Sequence, residues 1–343
     1  MDAMPLFNIS LAGSPVSFSC EEGENLLRAG LRQGVPLAYE CNVGACGSCK
    51  FDLIEGSVDE ISTASAGLKP RERERGKRLA CQCIPTSDCT VRMRTGLEFK
   101  PQITPRRREV TLESVRDITH DIRELTLRAA EPAEFLPGQY ALLHMPDCRM
   151  PRAYSMSNLP NEEGYWQFMV RRVPGGAVSP FLCDECQPGQ RLMLEGPYGL
   201  AYMRESVQRG LVCIAGGSGI APIASILKRA GQLTSGTGRE VYFFYGGRGP
   251  LDVPSLEHLF GSEVGCADIR FYPVVSEPGL VEMGRWDGEV GLVHDVVAER
   301  LEASRANYEY YVAGPPPMIE ATVKHLMVDQ KVPATQIHFD RFF

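Results

Sequence analysis

The sequence predicts a chain of three modules: a small α+β unit, an antiparallel β-barrel and a doubly wound parallel α/β sheet. Three observations carry this reading. Three cysteines lie within nine residues, separated by small residues, in "CNVGACGSC" at 41–49. Between about 108 and 205, short alternating segments are punctuated by Gly and Pro, as in a barrel. From 206 the pattern turns to continuous apolar runs between helical stretches, the mark of a sheet covered on both faces. The expected boundaries are 1–98, a linker at 99–107, 108–205 and 206–343, and a chain of 343 residues suits several domains.

In the first module "LFNISL", a turn at Gly13-Ser14-Pro15 and "VSFSC" read as a β-hairpin. "ENLLRAGLRQG" reads as a short helix closed by Gly34. "CTVRMRT" sets Val91 and Met93 against Arg92 and Arg94, a half-buried strand. "EFKPQITPRRREV" reads as a polar linker whose run Arg106-Arg107-Arg108 is expected to be solvated. "KPRERERGKR" at 69–78 nearly alternates in charge, so a salt-bridged surface is expected rather than a docking strip.

The second module offers "IRELTLRA", "GQYALLHM", "YWQFMVRRV" and "RLMLEGPYG" as strands. The third offers "GLVCIAGG", "EVYFFYGG", "IRFYPVVS" and "YEYYVAGP" as buried strands, with the helical "APIASILKRAG" after the first.

The cysteine spacing is Cys41-x4-Cys46-x2-Cys49, with Cys81 in "LACQC" further on. Zinc knuckles pair two short Cys-x2-Cys turns; only one exists here. The x4/x2 spacing is instead that of a plant-type 2Fe–2S cluster, whose class has potentials of about −400 mV. A tight loop must wrap a small anionic cluster and aim N–H groups at sulfur, and Gly44, Ala45, Gly47 and Ser48 permit that. Cys83 competes with Cys81 for the fourth position. Cys81 is preferred because "LAC" matches the ferredoxin pattern. Cys183 and Cys186 have no neighbouring pair and are expected to be unligated.

"RAYSMSN" at 152–158 resembles the Arg-x-Tyr-Ser motif of ferredoxin–NADP reductase-like barrels. Its chemistry suits a flavin. Arg152 can pair with a pyrophosphate, Tyr154 can stack on the isoalloxazine, and Ser155 can hydrogen-bond the nitrogen that accepts hydride. "VRRVPGGAVSPFL" follows, placing Gly175 and Gly176 ahead of a helix expected at Val178. A glycine-rich helix start is an anion site. It suits a second phosphate and an adenosine, hence FAD rather than FMN, with Val170, Arg171, Ala177, Val178 and Ser179 alongside.

"CIAGGSGIAP" follows a strand and opens a helix, so Gly216, Gly217, Ser218 and Gly219 could approach a pyrophosphate. Pro222 replaces the later glycine of the usual fingerprint. "YVAGPPPMI" resembles a Cys-Gly-Pro-Pro segment beside nicotinamide, with Ala313 in place of the cysteine and Gly314 and Pro315 retained. "IHFDRFF" resembles aromatic C-termini that cover a flavin, with Phe342 favoured over Phe343; a packed terminal strand is the plainer alternative. Arg248 in "YGGRGP" falls where an adenosine ribose binds and could meet a 2′-phosphate.

Taken together, essentially the whole chain resembles the oxygenase reductases that carry an N-terminal ferredoxin domain, and most of all the toluene monooxygenase group. That resemblance implies a β-grasp ferredoxin domain, an FAD barrel and an NAD domain. It implies electrons passing from NADH, with NADPH the less favoured donor, through FAD and the 2Fe–2S cluster to an oxygenase hydroxylase or a small Rieske-type ferredoxin. Tyr154, Ser155 and Phe342 would act at the flavin; Cys41, Cys46, Cys49 and Cys81 would hold the cluster. Reductases of Rieske dioxygenases and sugar dehydratases share these modules and are the alternative. A redox sensor without turnover is a remote one.

The net charge of −7 makes nucleic acid an unexpected partner. No apolar run approaches the roughly 20 residues that span a bilayer. "MDAMPLFNIS" lacks the look of a secretory leader, so a cytoplasmic monomer with reduced thiols is expected. The six histidines are expected to be structural or exposed.

Overall fold

The computed structural model describes residues 5–145, 148, 150–234, 238–261, 269–277, 279, 286–301 and 305–343. Its contacts divide the chain into two compact units. One comprises Met1–Arg108, Leu142–Ala153 and Leu194–Leu200; the other comprises Glu109–Ala141, Tyr154–Met193 and Ala201–Phe343.

The first unit opens with the expected hairpin, β1 (Leu6–Leu11) and β2 (Ser17–Glu21), antiparallel with Ile9 opposite Phe18. Helix α1 (Leu26–Arg32) follows. The sequence reading missed the next short elements, β3 (Lys50–Glu55), β4 (Val58–Glu60), α2 (Pro70–Glu74), β5 (Lys77–Leu79) and β6 (Cys83–Pro85). β7 (Cys89–Met93) is the half-buried strand predicted, with Val91 buried and Arg92 exposed. The sheet order β2-β1-β7-β3-β5, with β1 and β7 parallel, is a β-grasp: a hairpin, a helix laid across the sheet, and a late strand inserted beside the first.

Helix α1 buries Leu27 and Leu31 completely, each worth about 1.5–3 kcal/mol relative to exposure. Its cap Asn25 is extended and accepts from Arg28 N–H at 2.9 Å. The same amide donates to the Cys81 carbonyl at 3.0 Å, tying the helix start to a candidate ligand. Charges in 69–78 are paired as expected: Lys50 with Glu72, Arg73 with Glu60 and Lys77 with Asp52, at 2.8, 2.9 and 2.7 Å.

Six strands form the barrel: β8 (Arg106–Asp117), β9 (Ile122–Arg128), β10 (Tyr140–His144), β11 (Arg152–Ser155), β12 (Tyr165–Arg171) and β13 (Arg191–Tyr198). Their order is β11-β10-β13-β8-β9-β12. Closure comes just after β11: Met156 bridges Phe168 of β12, and Ser157 N–H donates to Gln167 O at 2.8 Å.

Two expectations need correction here. β8 begins at Arg106, inside the expected linker. The arginine run is not simply solvated either, because Arg107 pairs with buried Glu195 of β13 at 3.0 Å. A carboxylate left alone at such depth would be costly, and the arginine supplies its counter-charge.

The last sheet combines β14 (Gly210–Gly216), β15 (Val241–Gly247), β16 (Ile269–Val275), β17 (Glu289–Val290), β18 (Tyr308–Gly314) and β19 (Ile337–Arg341). Helices α3 (Ile220–Thr234), α4 (Leu256–Phe260), α5 (Val293–Arg300) and α6 (Pro316–Lys324) connect them. The order is β17-β16-β15-β14-β18-β19, and every adjacent pair is parallel. β14 shows why its sequence is apolar throughout. Leu211, Cys213 and Ala215 enter the core shared with α3, while Val212 and Ile214 enter the one shared with α5 and α6. The chain winds outward from β14 to β17 and returns to β18, so the order reverses between β14 and β18. Ligands of such sheets bind at that reversal, beyond the strands' carboxyl ends.

Candidate functional site

The cysteine loop gathers its thiols as two pairs. Cys41 N–H donates to Cys46 Sγ at 3.5 Å, and Cys46 N–H returns a bond to Cys41 Sγ at 3.3 Å. Ser48 N–H also donates to Cys46 Sγ, at 3.4 Å. In the second pair Cys49 Sγ lies 3.4 Å from Cys81 Sγ. The hydrogen bond with the Cys41 thiol pushes Cys46 down to about 6 against the pull of burial, and Ser48 and the backbone N–H groups assist. The Cys41 thiol is pushed up by the same bond and then by burial. The donor set is therefore two sulfur pairs with N–H groups already aimed at sulfur, which fits a two-iron cluster better than a single ion.

Cys83 stands apart in β6. It is fully buried, and burial followed by the charge of Glu60 pushes its thiol up to about 12. Cys183 and Cys186 are buried too, and burial pushes Cys183 up to about 11.

At the flavin motif, Ser155 is buried and Tyr154 half-buried at the end of β11. Arg152 heads the strand, donating to the carbonyls of Met150 and Pro151, with no ion pair among the described residues. Gly175 adopts φ +72° in a turn closed by Ser179 Oγ, which accepts from Val173 N–H at 3.0 Å. The helix expected at Val178 is present but short: Leu182 N–H donates to Val178 O at 3.1 Å, and the helical residues 179–180 run into a five-residue π-helical turn, Phe181–Glu185. Pro180, which has no N–H, stands just before it. Val178 is buried and Val170 lies inside β12.

A cavity of ≈ 480 Å³ lies at the carboxyl ends of the parallel strands. Gly216 ends β14 and Gly217 follows it, Gly247 ends β15 and Arg248 follows it, Ser276 comes just after β16, and Pro315 and Met318 lie at the start of α6. Five sequence candidates, Arg171, Gly216, Gly217, Arg248 and Pro315, line it. Ser218, Gly219, Pro222, Gly314, Phe342 and Phe343 are not among the lining residues. Gly217 adopts φ +55° and its carbonyl accepts from Tyr245 Oη at 3.2 Å. Gly219 serves packing: a Cβ there would lie 2.1 Å from Ala313 O. Arg171, expected at the flavin, pairs with Asp121 at 2.7 Å in the cavity wall. The tail forms a strand, β19, as far as Arg341. Beyond it Phe342 N–H donates to Gly314 O at 2.9 Å, and Phe343 is exposed.

Comparison with known proteins agrees with this arrangement. Family models match as a 2Fe-2S iron-sulfur cluster binding domain over 9–86, an oxidoreductase FAD-binding domain over 109–202 and an oxidoreductase NAD-binding domain over 213–324. The ferredoxin–NAD(P)+ reductase CarAd of Metapseudomonas resinovorans is 38% identical over 327 residues, 95% of this chain and 96% of that protein. The chain belongs to the ferredoxin–NAD(P)+ reductases of oxygenase systems. The xylene/toluene monooxygenase electron transfer component XylA of Pseudomonas putida is 33% identical over 340 residues, 99% of this chain and 94% of that one. The solved ferredoxin reductase of carbazole 1,9a-dioxygenase superposes with a TM-score of 0.91 at 35% identity, covering 100% of both chains.

The reductase thus has 2Fe–2S-, FAD- and NAD-binding domains and is an oxidoreductase. Among its described residues no helix is long and apolar enough to cross a membrane.

Sequence reading missed two acids of the reductase. Asp252 Oδ2 accepts from Arg248 N–H at 3.0 Å and Gly249 N–H at 2.9 Å, while Oδ1 is buried with no hydrogen-bond partner among the described residues. The signal was a lone acid four residues after Arg248. The other, Glu195, accepts from Tyr198 Oη at 2.7 Å and pairs with Arg28, Arg107 and His144 at 3.2, 3.0 and 3.0 Å. Its signal was a single acid in the apolar strand "RLMLEGPY".

Proposed function

We propose that this chain is the NADH-oxidising reductase of a multicomponent oxygenase, a cytoplasmic monomer that supplies a hydroxylase component or its small Rieske-type ferredoxin. The observation that carries the reading is the convergence of Cys41, Cys46, Cys49 and Cys81 as two thiol pairs, in a chain that also has a dinucleotide cavity at its strand ends. When bound, FAD takes an electron pair from nicotinamide and releases electrons singly to a one-electron 2Fe–2S acceptor.

The chain's own residues bind and orient. The four cysteines would hold the irons, and the N–H groups of Cys41, Cys46 and Ser48 stabilise charge on sulfur. The β11 motif Arg152–Ser155 would hold FAD, with Arg152 on the pyrophosphate and Ser155 donating to the ring. The turn Gly175, Gly176, Ala177, Val178 and Ser179 would sit beside its phosphates. Gly217 and Pro315 would bracket the nicotinamide nucleotide. Phe342, held by Gly314, would cover the flavin and yield to nicotinamide.

NADH is favoured over NADPH because the Asp252 carboxylate is fixed in the cavity beside Arg248. It can accept from a ribose hydroxyl and repels a 2′-phosphate.

The test is direct. Purified protein should contain iron, acid-labile sulfide and FAD, and should reduce cytochrome c rapidly with NADH and slowly with NADPH. It should then support turnover by a diiron hydroxylase. Support of a Rieske dioxygenase or sugar dehydratase instead would replace the acceptor. FAD-loaded protein without NADH turnover would sink the enzyme reading.

A further inference from the structure

Gln82 follows the fourth thiol and is 3% exposed. Its carboxamide has two N–H donors. It donates to the Cys81 carbonyl at 3.2 Å and to Cys81 Sγ at 3.7 Å. On its other side lies the cysteine loop. A Cβ on Gly44 would stand 2.9 Å from Gln82 Cδ, and Gly44 adopts φ +86°. The loop therefore leaves a side-chain-free space that the carboxamide fills, wedged between Cys81 and the turn bearing Cys41 and Cys46.

A residue that merely closed the turn could use the Cys81 carbonyl alone. Burying a carboxamide with an unmatched polar atom is costly, and Gln82 Oε1 has no partner among the described residues. Nearby Asn42, 3% exposed with φ +57°, likewise has neither amide atom matched among the described residues. The interior of this loop is thus polar beyond what the protein itself satisfies, next to four sulfurs.

We infer that Gln82 tunes the reduction potential of the cluster by donating an N–H to the Cys81 sulfur. The inference rests on the cluster assignment above. Its sign follows from charge. Reduction adds one negative charge to the iron–sulfur unit, and an N–H dipole aimed at sulfur favours the more negative state. Removing the donor must lower the potential. Gln82 is a positioning residue here: it neither ligates iron nor touches nicotinamide.

The test is an EPR-monitored redox titration of the holoprotein, comparing wild type with Gln82→Met, which keeps length and apolar volume but has no N–H. The expected result is a cluster about tenfold harder to reduce, a midpoint about 59 mV more negative, with the flavin midpoint and NADH-driven flavin reduction unchanged. A Gln82→Met midpoint equal to wild type overturns the inference, as does an equal shift of flavin and cluster. Should the variant fail to retain its cluster, pulsed EPR of wild type decides. With glutamine labelled by 15N only in the side chain, a nitrogen coupling to the reduced cluster supports the inference and its absence overturns it. Wild-type protein with no cluster at all would overturn the cluster assignment and this inference together.

Discussion

Arg28 Nη1 meets Glu195 Oε2 at 3.2 Å with both side chains buried, joining helix α1 to strand β13 inside one compact unit. The pair is one spoke of a hub, since Arg107, His144 and Tyr198 also converge on the same carboxylate. Removing one partner of a buried pair leaves an uncompensated charge, which costs about 3–5 kcal/mol. Glu195→Ala should lower the stability of the unit by that amount in urea unfolding. A loss below about 1 kcal/mol, the usual worth of a surface pair, would refute the hub's role.

The same carboxylate should give stability a dependence on acid. Burial pushes Glu195 up, but the His144 hydrogen bond, the charges of Arg28 and Arg107 and the Tyr198 hydroxyl outweigh it and hold the carboxyl well below the usual range. A group depressed on folding adds stability that is present above its unfolded value and is lost as pH falls towards its folded one. Stability should therefore decline as pH drops below 4.5, the ordinary carboxylate value. Glu195→Ala should show a flatter decline over that range; parallel curves would exclude Glu195 as a source of acid sensitivity.

Cys81 and Cys83 are separated by one residue and should behave oppositely. Cys81→Ser should abolish or strongly deplete iron and labile sulfide, because it breaks the pair with Cys49. Cys83→Ser should keep the cluster's visible absorbance and lose only stability, because the thiol is a buried core group. Iron content of the two purified variants separates the roles, and cluster loss in Cys83→Ser alone would reverse the assignment.

Asp252→Ala should relax the preference for NADH. It removes the fixed carboxylate and leaves the exposed Arg248 guanidinium, whose Nε lies 4.0 Å from Asp252 Oδ2, able to meet a 2′-phosphate. kcat/KM for NADPH should rise about tenfold, a change of about 1.4 kcal/mol. Adding Arg248→Ala should cancel the gain. An unchanged NADPH to NADH ratio would place selectivity elsewhere.

Gly219→Ala tests packing at the sheet's reversal. Its Cβ would fall 2.1 Å from the Ala313 carbonyl oxygen, a backbone atom with little room to yield. Overpacking of this kind costs about 1–3 kcal/mol. The variant should unfold earlier and bind NADH more weakly; wild-type values for both would show that the helix start can shift.

The parallel sheet was legible because β14, β15 and β18 are mostly apolar and end in glycines, and β16 carries Phe271, Tyr272, Val274 and Val275. The cysteine loop was legible because its spacing is chemically narrow. The missed elements β3 to β6 are short, and charged residues such as Lys50, Glu55, Asp59 and Lys77 blur their apolar alternation; the turn glycines Gly56 and Gly76 were the overlooked mark. Glu195 and Asp252 escaped for another reason. Their importance lies in partners far along the chain, such as Arg28, or in backbone N–H groups, which carry no residue-type signature. The pairing of Arg171 with Asp121 was illegible for the same reason: Asp121 lies in the turn between β8 and β9, 50 residues away in the chain.

The central position of β14 has a consequence for biosynthesis. One edge pairs with β15, close behind it in the chain, while the other pairs Gly210 with Tyr308. While the polypeptide is still being made, that second edge has no native neighbour until β18 has left the ribosome. Non-native strand pairing is the hazard during such an interval. Recombinant yield should thus depend on chaperone supply and on the speed at which the final third of the message is translated.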